Sequence, residues 1–268
     1  MTLTSDSHPV RGMHEAREHS SRPDPDLSLI IACFNEKRVI EASIRRLREV
    51  LGFYRGSYEL ILIDDGSRDG TPDMIRRLTE GHPRERLVIH PQNLGRGATV
   101  AHGLRLAAGR IAGFIDIDLE IDAFYLLPLV MAVENGADIA TARRWYPWSL
   151  RSLHRQILSK GYSRLVRWWL KVPLADTETG CKVFSRRRVL PVLDQVRDAH
   201  WFWDTEIMVR AHRGGLRILE IPALYQRHHA SGTTVRPWSD TVYYLRRLWQ
   251  FRKDIRTVGS AQDREERP

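Results

Sequence analysis

Apolar and polar positions alternate along the chain between short continuous apolar runs and longer stretches with helical spacing. Leu27-Ser-Leu-Ile-Ile-Ala-Cys33 is a run of the kind carried by a strand buried on both faces. From Glu36 to Leu51, the residues Val39, Ile40, Ile44, Leu47 and Leu51 recur at helical intervals and predict an amphipathic helix. The pattern repeats as a strand over Glu59–Ile63, a turn at Asp65-Gly66 and a helix through Met74, Ile75 and Leu78. Arg86–His90 then predicts a strand, Ala98–Ala108 a helix, and Arg110–Ile115 a fourth strand running directly into Asp116-Ile-Asp118. Strands and helices joined by short connections predict an α/β fold with an open, mostly parallel sheet flanked by helices.

After Ala137–Thr141 the rhythm changes. Leu150–Val172 is basic, aromatic and helical in pattern. A strand over Lys182–Ser185, a helix over Thr205–His212, a strand over Leu216–Ile221 and an amphipathic helix over Trp238–Lys253 follow. Residues 1–26 and 257–268 are polar, lack apolar periodicity and read as disordered ends, leaving 27–256 as one domain. The first apolar run begins only at Leu27 and no run is long enough to span a bilayer, so neither a secretory signal nor a membrane span is expected. Cys33 and Cys181 form neither a disulfide framework nor a zinc pattern, which fits a reduced, cytoplasmic compartment. The net charge of +9 suits anionic partners without choosing among nucleotide phosphates, nucleic acid and a membrane surface. No nucleic-acid reader motif is present, and nucleic acid is not expected as a partner.

In open α/β sheets, ligands sit at the carboxyl ends of the strands. Asn35-Glu36, Asp64-Asp65 and Asp116-x-Asp118 all fall there, which makes separate acids into one candidate site. Carboxylates two apart on an extended strand end point the same way and can share a hard cation, Mg²⁺ or Mn²⁺, with diphosphate oxygens. Glu120 stands two positions further as a third candidate ligand. Taken alone, Asp-x-Asp is a weak pattern, and capping of the helix expected near Asp122 is then the favoured reading. Asp69 or Thr71, followed by Pro72, caps the next helix, but the Asp64-Asp65 pair exceeds what a turn needs and suits contacts to a base or ribose. Asn93-Leu-Gly-Arg-Gly97 places Arg96 between two glycines at a helix start, as a phosphate cradle or as a plain turn. Neither a G-x-G-x-x-G dinucleotide fingerprint nor a Walker A pattern occurs.

Together, Ile31-Ala-Cys-Phe-Asn-Glu36, Asp64-Asp-Gly-Ser67, Asn93-Leu-Gly-Arg-Gly97 and Asp116-Ile-Asp118 resemble glycosyltransferase family 2, with its GT-A fold. Asp176-Thr-Glu-Thr-Gly-Cys-Lys-Val-Phe184 and Trp203-Asp-Thr-Glu206 add a likeness to dolichyl- and polyprenyl-phosphate hexose synthases. The resemblance runs from about Asp26 to Lys253, with 27–120 as the nucleotide-sugar half and 121–256 as the acceptor half. It implies transfer of a hexose from UDP-glucose or GDP-mannose to a polyprenyl phosphate, with inversion. Ala32, Phe34, Glu36, Asp64, Asp65, Arg96, Asp116 and Ile117 would hold the nucleotide sugar, and Asp118 the metal, with Asp116 and Glu120 beside it. Arg143, Arg155 and Lys182 would grip the acceptor phosphate. Cys33, Cys181 and Thr233-Thr234 depart from common family residues, the last within the active-site loop.

A phosphate acceptor is already an anion and needs no strong base, whereas a hydroxyl acceptor would call on Asp204 or Glu206. Those two acids read equally as charge at a helix N-terminus. A decayed, non-catalytic nucleotide binder is a further alternative, disfavoured by the intact Asp64, Asp65, Asp116 and Asp118. Trp238, Val242, Leu245 and Trp249 on one helical stripe, and Trp168, Trp169 and Leu170 among Arg164, Arg167 and Lys171, suit helices at an anionic membrane surface. Packing of each helix on the sheet explains the same pattern. Peripheral attachment to the cytoplasmic face, with or without a separate membrane-anchoring partner, is the location expected.

Overall fold

The computed structural model describes residues 23–146, 153–226 and 243–255. Seven strands form one sheet in the order β3-β2-β1-β4-β6-β5-β7. These are β1 (Leu27–Cys33), β2 (Tyr58–Asp64), β3 (Glu85–Ile89), β4 (Ile111–Ile115), β5 (Ile139–Trp145), β6 (Cys181–Ser185) and β7 (Ile218–Leu224). All pairings are parallel except those of β6, which runs against both β4 and β5. Six strands therefore end on one edge, and β6 begins there.

Side chains of β1 alternate between two apolar layers, as a strand covered on both faces requires. Leu27, Leu29, Ile31 and Cys33 pack with α1 (Ile40–Leu51), α2 (Thr71–Thr79) and α4 (Leu126–Glu134). Ile30 faces the other layer, with α3 (Arg96–Leu106), α6 (Arg186–Leu193) and α7 (Trp203–Arg213). A third apolar cluster joins α5 (Leu153–Leu170) to α7 and to α8, residues 243–255, through Val166, Leu170, Val209, Leu248 and Phe251.

Most expected elements appear with shifted ends. The first helix begins at Ile40, because Phe34–Lys37 makes the turn that carries Glu36. The last strand begins two residues and ends three residues later than the apolar run suggested, held parallel to β5 from Ile139↔Ile218 onward. Asp26, expected in the polar lead-in, is already fastened: its carboxylate accepts from the Ser57 backbone N–H at 2.8 Å. The remaining residues read as disordered, 1–22 and 257–268, lie outside the described residues, as do Trp238, Val242 and Thr233-Thr234. No helix among the described residues is long and apolar enough to cross a membrane.

Candidate functional site

Glu36, Arg96, Asp116 and Asp118, among the residues singled out above, meet at the edge where β1, β2 and β4 end, with Asp64 and Asp65 at the end of β2. Asp116-Ile-Asp118 does not continue β4 as an extended strand. It turns, with the Leu119 N–H donating to the Asp116 carbonyl at 3.1 Å and Leu119 at φ 50°. The turn buries Ile117 in the α1 layer, so its side chain is a core residue and not a sugar contact. Asp118 accepts from the Glu120 N–H at 3.2 Å. Asp122 caps the short 3₁₀ turn Ala123–Tyr125 by accepting from the Phe124 N–H, so capping falls to Asp122 and not to the Asp-x-Asp pair.

Arg96 opens α3 and reaches across the edge. Its Nη2 lies 2.6 Å from Asp116 Oδ1, and its Nη1 lies 2.5 Å from Asp204 Oδ2. Lys182, fully buried at the start of β6, donates to Asp204 Oδ1 at 2.6 Å and to the Thr179 carbonyl at 2.5 Å. The four side chains form an alternating chain, Asp116–Arg96–Asp204–Lys182. Burial opposes the charge on Arg96, but Asp116 and Asp204 outweigh it and raise its pKa above the ordinary guanidinium value. For Lys182 burial wins, and its pKa is lowered despite Asp204.

Lys182 is therefore a buried partner of Asp204, not an exposed grip for acceptor phosphate. Glu206 also departs from expectation, because two residues along α7 is a rotation of about 200°, which points it away from Asp204. It accepts instead from the Asp198 N–H at 2.9 Å and from Arg210 Nε at 2.8 Å, a network remote from Asp116.

The acids of β2 divide their roles. Asp65 is saturated: it accepts from Leu94 N–H at 2.9 Å, Gly95 N–H at 3.0 Å and the His90 ring at 2.8 Å. It ties the Asn93–Gly97 loop to the sheet. Asp64 takes the Ser67 N–H on Oδ2 at 3.0 Å, leaving its buried Oδ1 without a hydrogen-bond partner. Of the pair, Asp64 holds the open acceptor. The glycines beside Arg96 serve close packing: a Cβ on Gly97 would lie 2.4 Å from the Trp203 Cβ, and one on Gly95 2.5 Å from the Ala199 carbonyl.

Glu36, on the turn after β1, is raised to about 7 by burial and then by the charges of Asp118, Asp69 and Asp116. Asp116 is raised to about 6 by burial and by Asp118 and Asp204, against the pull of Arg96. This is a site with more carboxylate than its own cations neutralise. Glu120, the third candidate ligand, instead accepts from the Tyr225 hydroxyl. Among the described residues, no group of three or more His, Cys, Asp or Glu is arranged to hold a metal. Two carboxylates in an acidic field still fit Mg²⁺ or Mn²⁺, which commonly take one or two protein carboxylates and complete their shell with substrate phosphates and water. Asp118 and Asp116 are the residues that would hold it.

Ala32 is half-buried and Phe34 exposed at the end of β1. Arg143 is exposed at the carboxyl end of β5. Arg155 lies on α5, its side chain outside the described residues. The structure adds Arg144, whose Nε and Nη2 each hold Asp176 at 2.8 Å. It also adds Glu220, which accepts from the Ala175 and Asp176 N–H groups and anchors the 174–180 loop. Glu178, on that loop, is raised to about 7 by burial, which outweighs Arg144. The Asp176–Phe184 motif marked this stretch in sequence, but nothing in it paired Asp176 with Arg144, which is 32 residues away.

The model of glycosyl transferase family 2 matches residues 28–190, more than half of the chain. The chain belongs to glycosyl transferase family 2. Its acidic edge, from Glu36 to Asp118, lies within the matched region. Glycosyltransferase AglD of Haloferax volcanii is 37% identical over 202 residues, covering 74% of this chain and 32% of that protein. The chain thus spans about a third of that relative's length. A dolichyl-phosphate beta-glucosyltransferase of Dictyostelium discoideum is 29% identical over 251 residues, covering 85% of this chain and 72% of that one. Glucosyl-3-phosphoglycerate synthase from Mycobacterium tuberculosis, solved with Mn²⁺, UDP and glucosyl-3-phosphoglycerate, superposes with a TM-score of 0.62. At 19% identity, over 85% of this chain and 78% of that one, the likeness shows a shared GT-A-like fold.

Proposed function

We propose that the transferase moves a hexose from a nucleotide sugar to the phosphate of a polyprenyl lipid, with inversion at the anomeric carbon. The observation that carries the choice of acceptor is the state of the two acids a hydroxyl acceptor would call on. Both oxygens of Asp204 already accept from cations, Arg96 and Lys182, and Glu206 is turned into another network. A phosphate acceptor needs neither. Likeness to the dolichyl-phosphate beta-glucosyltransferases supports the same reading and leans the donor toward UDP-glucose.

In this mechanism the donor lies along the ends of β1, β2 and β4, with Asp64 Oδ1 and Glu36 facing its nucleoside. An oxygen of the acceptor phosphate forms a bond to the anomeric carbon as the bond to the nucleoside diphosphate breaks. The electron pair leaves with the diphosphate. Asp118 and Asp116 would hold a divalent cation, which would supply charge neutralisation for that leaving group. Arg96 fixes the Asp116 carboxylate, and exposed Arg143 binds the acceptor phosphate, in the role the sequence also assigned to Arg155. Such an acceptor places the reaction at a membrane surface.

A hydroxyl acceptor is favoured by one observation alone, the Glu178 carboxyl held near neutral pH, where a general base works best. The test offers the purified transferase labelled nucleotide sugar with polyprenyl phosphate or with polyprenol of the same chain, both in detergent. Label is expected on the phosphate only. Comparable label on polyprenol would sink the acceptor assignment.

A further inference from the structure

Away from the acidic edge, α5 and α8 leave a cleft of about 470 Å³ between their outer faces, lined by Trp168, Trp169, Lys171, Trp249, Arg252 and Lys253. The inner faces account for the fold: Val166 and Leu170 of α5 pack against Leu248, Phe251 and Ile255 of α8. The cleft is what remains outside that packing. Trp168 is 71% exposed, Trp249 51% and Leu245 46%. Large side chains left in water on adjacent helices form a patch that needs a partner.

The chemistry of the cleft selects the partner. Its titratable lining residues are all basic. Two of them lie over indole faces, Arg252 at 3.9 Å from the Trp169 ring centre and Lys253 at 3.5 Å from that of Trp249. Tryptophan prefers the boundary between hydrocarbon and water, and a cation beside it at that depth meets lipid phosphate. The sequence pattern pointed to a stripe of Trp238, Val242, Leu245 and Trp249. The structure brings Trp249 of that stripe together with Trp168 and Trp169, which the sequence placed on a separate helix, an arrangement that periodicity along one helix cannot show.

We infer that this Trp-lined basic cleft is the surface by which the transferase lies on an anionic phospholipid membrane. The inference deepens the reading of a membrane-lipid acceptor, on which it rests for its biological sense, but it is tested without acceptor or donor. The 268-residue chain is sedimented with vesicles of phosphatidylcholine containing about 30 mol% phosphatidylglycerol, and with phosphatidylcholine alone, at about 0.1 M salt. Binding is expected to the anionic vesicles and to weaken as salt rises. The Trp168→Ala/Trp249→Ala variant should bind about tenfold more weakly or worse, with unchanged circular dichroism. Lys171→Glu/Lys253→Glu should lose the preference for anionic lipid.

Parent-like binding by the tryptophan variant overturns the inference, as does equal binding to neutral vesicles. Self-association of the parent through these residues, without vesicle binding, would assign the cleft to a second copy and also overturn it. If vesicle binding fails while transfer to detergent-dispersed polyprenyl phosphate persists, this inference falls alone. If binding holds and transfer fails, the acceptor reading falls instead.

Discussion

Lys182 shows how far a residue's role depends on partners distant in sequence. Its place within the Asp176–Phe184 motif implied, through the family resemblance, a phosphate grip, and its ammonium group is suited to one. Folding places it fully buried against Asp204, 22 residues away, so its charge is already used. Removing Lys182 leaves the buried Asp204 Oδ1 and the Thr179 carbonyl without their donor, although Arg96 still holds the other Asp204 oxygen. Lys182→Ala is therefore expected to lower unfolding free energy by about 3–5 kcal/mol in urea titrations. A change below 1 kcal/mol, on the order of a surface pair, would show the pair is not buried as described.

Gly180 gives the complementary case, where space and not charge is limiting. A Cβ there would meet Asp116 Oδ2 at 1.8 Å. Gly180→Ala should displace that carboxylate and abolish most transfer while the circular dichroism spectrum stays native. Full activity in the variant would mean that Asp116 need not sit where Arg96 holds it. Arg143→Ala should raise the KM for polyprenyl phosphate roughly tenfold, the loss of one charge-assisted hydrogen bond, and leave the donor KM unchanged. An unaltered acceptor KM would remove Arg143 from the acceptor site.

At the scale of elements, the strands and helices were legible because their apolar periodicities are strong and local. The buried runs at Leu27–Cys33 and Glu59–Ile63 could be little else than central strands. The reversal of β6 was not legible, since a short apolar segment carries no mark of its direction; only pairing with β4 and β5 sets it. The site was legible in outline, because Glu36, Asp64 and Asp116 follow strands whose carboxyl ends define an edge. It was not legible in its wiring, because Arg96 with Asp204 and Arg144 with Asp176 are joined only by the sheet.

The glycines of α3 and α5 test the packing of those elements in opposite directions. Gly97→Ala drives a methyl into Trp203 and the His200 carbonyl at the contact of α3 with α7. It should cost roughly 1–3 kcal/mol and reduce transfer, since Arg96 is the adjacent residue. Gly161, on α5, has no atom within 4 Å of an added Cβ. Gly161→Ala should stabilise the protein by about 0.5–1 kcal/mol through helix propensity and leave transfer intact. Thermal melts separate the two, and equal shifts in melting temperature would contradict the packing described.

For the whole molecule, the carboxylates gathered at one edge oppose the fold's stability near neutral pH. Glu178 has an ordinary pKa of 4.5 and is raised to about 7 in the folded chain, chiefly by burial. Between those values the native state holds a proton that the unfolded state has released. Its contribution to stability therefore falls as pH rises from 4.5 to about 7 and is constant above that range. Glu178→Gln should raise the melting temperature relative to the parent at pH 7.5, with the difference shrinking toward pH 5 as the parent becomes protonated. A difference independent of pH would show that the shift is absent.

The same excess of negative charge at Glu36, Asp116 and Asp118 is what a divalent cation, brought in with the anionic nucleoside diphosphate, would relieve. The most direct test measures hexose transfer to polyprenyl phosphate by the parent and by Asp118→Asn, each stripped of metal and then titrated with Mg²⁺ or Mn²⁺. The parent should regain activity with added cation, and the variant should stay lower by about two orders of magnitude at every concentration. Equal turnover by the variant, or undiminished turnover by the stripped parent, would contradict the account.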